Sequence, residues 1–239
     1  MKVQAIIPAR LSSERLANKV LLEIAGKPMV IHIYETLKNC SALSDVCIAT
    51  EDIEIAEAAD IFGAKCIMTG KCSSGTQRVI EAYAQCEQAD LLINVQGDEP
   101  LVNCSHIESL IQVFKDQPEA GIATLIEPFT DYEELSDPNN VKVVLSDTGK
   151  AIYFSRSIIP NANQLHDFHY KHVGIYAFKS HIVKNLESIP RSQLSQQERL
   201  EQLDWLVAEL AIYTAKIDGK LIGVDTEADL IKVRQILEG

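Results

Sequence analysis

A chain of 239 residues, 46% of them hydrophobic, has the material for one large domain with a substantial core. Its 22 Lys and Arg against 34 Asp and Glu leave a net charge of −12, which excludes sequence-independent nucleic-acid binding, because that needs a basic face to neutralise phosphates. No apolar run approaches the roughly 20 residues of a membrane span, and the opening run turns polar too soon for a secretory leader.

In chain order, the first element is an apolar strand, Val3–Ile7, that runs into a polar loop carrying Arg10, Arg15 and Lys19, with Ser12 and Ser13 among them. Cations and free backbone N–H groups at the carboxyl end of a strand suit a polyphosphate. The plainer reading is a basic loop with solvated charges. A helix over Pro28–Leu37 follows, with Pro28 in the first turn, where an N–H has no partner to lose. Strands at Asp45–Ala49, Ala64–Met68 and Asp90–Val95 alternate with helices at Ile53–Ile61 and Thr76–Cys86, whose apolar residues recur every three or four positions. Gly63 stands where the middle helix should stop. This alternation predicts an α/β fold with a parallel sheet wrapped by helices and ligands at the carboxyl ends of its strands.

The six cysteines, at 40, 47, 66, 72, 86 and 104, include no C-x-x-C pair, and several stand in apolar runs as small hydrophobes. They point to a reduced, cytoplasmic protein rather than a disulfide scaffold or a zinc site. Past Leu101 the rhythm changes. A helix over Ser105–Lys115 leads to strands at Gly121–Leu125, Val141–Leu145, Ala151–Ser155 and around Tyr170–Phe178, with polar Pro160–His169 between the last two. Strands without helices between them predict an antiparallel extension over about residues 130–180, suited to a lid or dimer contact, within a single domain spanning 1–239. Helices over Gln197–Leu210 and Thr226–Leu237 flank a short strand at Ala215–Ile217.

The run Leu91–Val95 ends in Gln96-Gly97-Asp98-Glu99-Pro100, which delivers Asp98 to the sheet's carboxyl edge. A carboxylate there can hold Mg2+ beside a nucleotide phosphate, or it can merely cap a turn. Ser73-Ser74-Gly75-Thr76-Gln77-Arg78 opens a helix. Its hydroxyls and amides fit a phosphate or carboxylate, with Arg78 one turn in, and plain capping by Ser74 or Thr76 is compatible with that. Asp225, just before the last helix, is either a capping residue or, if it meets Asp98, the second carboxylate of a magnesium site. His166, His169 and His172 are spaced by three, and a strand would turn the first two to opposite faces, which disfavours zinc. His172 reads as a solitary ligand-facing residue with Tyr176 on the same face. Glu201 and Gln202 lie on a helix whose buried stripe is Leu200, Leu203, Leu206 and Leu210; on pattern alone they are surface residues.

Together these segments resemble the 3-deoxy-manno-octulosonate cytidylyltransferases (CMP-Kdo synthetases). The resemblance rests on IIPAR at Ile6–Arg10, GKPM at Gly26–Met29, SGT-x-R at Ser74–Arg78 and NVQGDEP at Asn94–Pro100. It continues through VKVV at Val141–Val144, YFSR at Tyr153–Arg156, H-x-GIY at His172–Tyr176, LEQL at Leu200–Leu203 and GVDT at Gly223–Thr226. It implies a Rossmann-like nucleotidyltransferase fold that forms a homodimer through its antiparallel insertion. It also implies a reaction of CTP with an eight-carbon 2-keto-3-deoxy sugar acid to give the CMP-sugar and pyrophosphate, supplying lipopolysaccharide or another surface glycan. Matched residue by residue, the catalytic set is Arg10, Lys19, Asp98 and Asp225, with Mg2+ on the two aspartates. Arg10, Arg15, Lys19, Ser74, Gly75, Arg78 and Gln96 surround the nucleotide. Gln96, Arg156, His172, Tyr176, Glu201 and Gln202 line the sugar pocket.

The chain departs from the family pattern in two places. The loop usually reads S-x-R-x-P-G-K-P and here has Glu14, Ala17, Asn18 and Val20, which changes its stiffness and adds a negative charge; after SGT an acid is replaced by Gln77. These changes leave an amino-substituted Kdo or a sialic-acid type of acceptor open, and also a non-catalytic nucleotide-binding relative. Retention of both Asp98 and Asp225 argues against the last.

Overall fold

A computed structural model describes residues 1–13 and 15–239, so the reading of Glu14 as an added negative charge lies outside the described residues. The chain forms two compact units, residues 1–107 with 221–239, and residues 108–220.

In the first unit, β1 (Val3–Pro8) is followed by a 3-10 turn (Lys19–Leu21), the hairpin of β2 (Glu23–Ile24) and β3 (Lys27–Pro28), and α1 (Met29–Lys38). Then come β4 (Asp45–Thr50), α2 (Ile53–Ile61), β5 (Cys66–Met68), α3 (Gly75–Tyr83) and β6 (Leu91–Asn94). Strands β6, β1, β4 and β5 lie side by side, all parallel, with Ile6 paired to Asn94 on one side and to Cys47 on the other. Every residue of β1 is buried, as expected of a strand covered on both faces, and this explains its unbroken apolar run. Because β1 and β6 are parallel neighbours, the loops that follow them leave from the same edge.

Helix α4 (Cys104–Asp116) carries the chain into the second unit, which holds β7 (Ile122–Pro128), α5 (Tyr132–Ser136), β8 (Lys142–Leu145), β9 (Ala151–Ser155) and β10 (Tyr170–Lys179). After these come α6 (Ser180–Leu186), α7 (Gln193–Glu198), α8 (Gln202–Val207) and β11 (Ile212–Lys216). Here β10 runs antiparallel to β7 and β8, and β8 antiparallel to β9; only β11 is parallel to its neighbour β7. The predicted antiparallel strands therefore all fall in this unit. Its core includes Phe154 and an aromatic cluster in which Trp205 meets Tyr176 and Phe178 edge-on at 4.9 and 5.4 Å. The chain returns to the first unit and ends in α9 (Glu227–Glu238).

Several expectations need correction. Pro28 is the N-cap of α1, in extended backbone (φ −51°, ψ 138°), rather than a first-turn residue. The single helix over Gln197–Leu210 is two helices, because Arg199 takes the left-handed conformation (φ 56°) and ends α7. Gln202 is buried rather than superficial, and so is Asp204, which accepts from the backbone N–H of Ser192 (2.6 Å) and pairs with Arg191 (3.2 Å). The strand expected at Ala215–Ile217 starts earlier, at Ile212. The expectation of reduced cysteines also fails at one pair: Cys40, just past α1, is disulfide-bonded to Cys104 at the start of α4, while 47, 66, 72 and 86 are free. Among the described residues no helix is long and apolar enough to cross a membrane.

Candidate active site

The loop after β1 is pinned by two bonds from its backbone, Ala9 N–H to the Ala49 carbonyl (2.9 Å) and Leu11 N–H to Asp52 Oδ2 (2.7 Å). Arg10, between them, is exposed. Further on, Asn18 stands where the family pattern has glycine and adopts the left-handed conformation such a position demands (φ 51°, ψ 29°). Asn is among the few side chains that tolerate it. This turn launches Lys19, whose ammonium donates to the carboxylate of Asp98 and, at 2.8 Å, to Asp225 Oδ1. Arg15 donates to the other oxygen of Asp225 at 2.7 Å. Burial works against the charge on Lys19, but the two carboxylates outweigh it and hold the ammonium's pKa above the ordinary lysine value.

The two aspartates meet for reasons of backbone. Gly97 passes so close to β1 that a Cβ there would lie 2.9 Å from the Pro8 carbonyl oxygen, so only glycine lets the β6 loop turn at this point. The Asp98 carbonyl then accepts from Val224 N–H at 2.8 Å, which ties the C-terminal loop alongside. Thr226, not Asp225, caps α9, in a reciprocal box with Asp229. The Asp225 carboxylate is thereby free of capping duty and turns to Lys19 and Arg15.

Ser74 caps α3, its hydroxyl accepting from Gln77 N–H (3.1 Å). Gln77 in turn accepts from Ser73 through both the backbone N–H (2.7 Å) and the hydroxyl (2.8 Å), so a neutral amide fills the acceptor role an acid would have there. Gly75 faces Gln96; a Cβ on it would lie 3.1 Å from Gln96 Oε1. Arg78 is buried, with its guanidinium bonded to Thr69 Oγ1 (2.7 Å) and Glu51 Oε1 (3.0 Å), so much of its hydrogen-bonding capacity is spent inside the unit.

Arg156, His172, Tyr176, Glu201 and Gln202 all belong to the second unit. His172 and Tyr176 are buried, with ring centroids 5.4 Å apart. A bulge in β10 between Val173 and Tyr176 shifts the register by an even number of residues, which preserves the shared face. Thr124 Oγ1 lies 2.9 Å from His172 Nε2 and can give its proton to the carbonyl of Val173 or Ile175. Nε2 is thus engaged by Thr124 within the unit. Burial pulls the His172 pKa down to about 3, so the ring is neutral. Burial, together with the charge of Glu201, pushes the Tyr176 phenol well above its ordinary value. Sequence reasoning passed over two residues here, Lys142 and Glu198, both bonded to Arg156. The one available signal was a lysine inside the apolar run of β8.

Asp98 and Asp225 offer hard oxygen donors, and their shared grip on one ammonium shows that they can serve a single cation. That donor chemistry fits Mg2+.

A cytidylyltransferase family model matches residues 4–217. The 3-deoxy-manno-octulosonate cytidylyltransferase of Escherichia coli is 40% identical over 238 residues, covering 99% of this chain and 96% of its own. The chain belongs to the 3-deoxy-manno-octulosonate cytidylyltransferase family. As a cytidylyltransferase it also resembles the 8-amino-3,8-dideoxy-manno-octulosonate cytidylyltransferase of Shewanella loihica, 41% identical over 208 residues and 85% of each chain. A solved structure of CMP:2-keto-3-deoxy-manno-octonic acid synthetase complexed with CTP superposes with a TM-score of 0.92 at 39% identity, covering 100% of this chain and 99% of that one. The fold is accordingly the Rossmann-like one of the nucleotidyltransferases, and the protein is a nucleotidyltransferase enzyme.

Proposed function

We propose that this enzyme transfers CMP from CTP to an eight-carbon 2-keto-3-deoxy sugar acid, Kdo or its 8-amino analogue, and releases pyrophosphate. The observation that carries the reading is the meeting of Asp98 and Asp225 around Lys19, with Arg15 on the outer oxygen of Asp225. Arg10, Arg15 and Lys19 take the triphosphate and stabilise the charge that gathers on departing pyrophosphate. Ser74, Gly75 and Gln96 border the nucleotide, and Arg78 fixes that border through Glu51 and Thr69. Arg156, His172, Tyr176, Glu201 and Gln202 take the sugar acid, with the His172 ring neutral. Asp98 and Asp225 would hold Mg2+, which would supply positive charge to the reacting groups. No protein nucleophile is required, since the sugar's anomeric hydroxyl displaces pyrophosphate directly.

The setting is the cytoplasm, which supplies CTP, and the product is an activated sugar for lipopolysaccharide or a related surface glycan. The working form is a homodimer joined through the strand-rich stretch of the second unit, where Ile152 and Phe168 are 58% and 55% exposed. A light-scattering mass of 26.5 kDa rather than twice that would refute the dimer. Pyrophosphate release with CTP and Mg2+ across Kdo, the 8-amino analogue and a sialic acid tests the function. Turnover is expected with one of the first two. Turnover with the sialic acid alone, or CTP binding without product from any of the three, would overturn the proposal.

A further inference from the structure

One buried charge in the second unit has no part in the chemistry above. Lys142 opens β8 and is, with Phe154 and Phe178, among the largest fully buried side chains of the described residues. An ammonium taken out of water must be bonded inside. Its Nζ donates to the backbone carbonyls of Asp137 (2.7 Å) and Arg156 (2.9 Å). The residue after Asp137 is Pro138, and its carbonyl accepts from the Arg156 guanidinium at 3.0 Å. The ammonium therefore ties together the two stretches of backbone between which the arginine is stretched.

Glu198, the last residue of α7, holds the other side. One carboxylate oxygen accepts from the Ser155 hydroxyl (2.6 Å) and the other from Arg156 N–H (2.9 Å), while its backbone carbonyl accepts from Arg156 Nε (3.0 Å). The guanidinium is thus held by neutral carbonyls, of Glu198 and Pro138. A carboxylate in those places would orient the arginine and cancel its charge; carbonyls orient it and leave the charge available. A receptor for an anionic group needs that combination.

We propose that Lys142 and Glu198 are positioning residues that aim Arg156 at the carboxylate of the sugar acid. This rests on the place of Arg156 in the proposed sugar pocket. Neither side chain touches substrate; both act through the arginine's backbone and fork.

A double-mutant cycle on the full-length enzyme tests this, with Kdo (or the 8-amino analogue in its place throughout, if that is the acid turned over) varied at saturating CTP and then CTP varied at saturating sugar acid. Lys142→Met should raise the KM for Kdo about tenfold and leave kcat and the KM for CTP within about threefold. In an Arg156→Ala background it should add nothing further, because two residues acting through one contact are not additive. Arg156→Ala that leaves the KM for Kdo unchanged overturns the pocket assignment, and the inference with it. Arg156→Ala that raises the KM while Lys142→Met has no effect, or adds its full effect in the double variant, or raises both KM values equally, overturns the inference alone. If Lys142→Met does not fold, Glu198→Ala goes through the same cycle on the same criteria.

Discussion

Lys19 keeps its ammonium between Asp98 and Asp225 despite partial burial, so its charge is firmly present at neutral pH. Lys19→Ala should cut turnover more than a hundredfold, on the order of 3 kcal/mol, as for other groups that stabilise developing charge. A rate within threefold of the parent would remove the opening loop from the triphosphate site. The exposed Arg15–Asp225 pair adds little to stability, and its value lies in placing charge. His172 supplies a pH signature. Its folded pKa is about 3 against 6.5 for an ordinary histidine, so the unfolded chain binds the extra proton between those values. Folding stability should therefore fall as pH drops from 6.5 towards 3, with this residue contributing a slope of up to about 1.4 kcal/mol per pH unit. Denaturant titrations across that range should show a shallower slope in His172→Asn; an unchanged slope would mean the ring is not held neutral. Much at this scale was legible in the sequence, because Asp98 and Asp225 each follow or precede a recognisable element. What could not be read was their meeting, which depends on the bond from Val224 to the Asp98 carbonyl.

Among elements, α9 positions Asp225 through a cap that spares it. Loss of the Thr226 side chain in Thr226→Ala should cost about 1 kcal/mol, or roughly 2–4 °C in Tm. Activity should fall as well, because Asp225 N–H also bonds to Asp229 (3.3 Å). Calorimetry showing no change would mean that the capping box is not formed. The first unit's parallel strands were readable from their apolar runs, since burial on both faces leaves little room for polar residues. The break at Arg199 was not. Leu200, Leu203 and Leu206 keep helical spacing after it, while the interruption itself is a residue in the left-handed conformation, and a buried carboxylate, Asp204, separately holds Ser192 just before α7. Periodicity records which side chains face inward, but it does not record whether the backbone between them is continuous.

For the molecule as a whole, the Cys40–Cys104 bridge is the feature that composition failed to reveal. The two residues are 64 apart in sequence and have no motif spacing, so only the packing of α1's end against α4's start brings them together. Alkylation of the unfolded, unreduced protein should label the four free cysteines and not the other two; six labelled thiols would mean that the bridge does not form in solution. The net charge of −12 bears on association, because a triphosphate approaching such a surface is repelled except where Arg10, Arg15 and Lys19 stand. The affinity for CTP should therefore depend on that cluster far more than on the remaining cations.

The central claim is that Asp98 and Asp225 serve one divalent ion beside the cations that hold CTP. Pyrophosphate release by Asp98→Asn and Asp225→Asn at saturating CTP, Mg2+ and sugar acid tests it most directly. The account predicts a loss of more than about a hundredfold in each, with melting temperatures close to the parent's. A near-parental rate in either variant would contradict it.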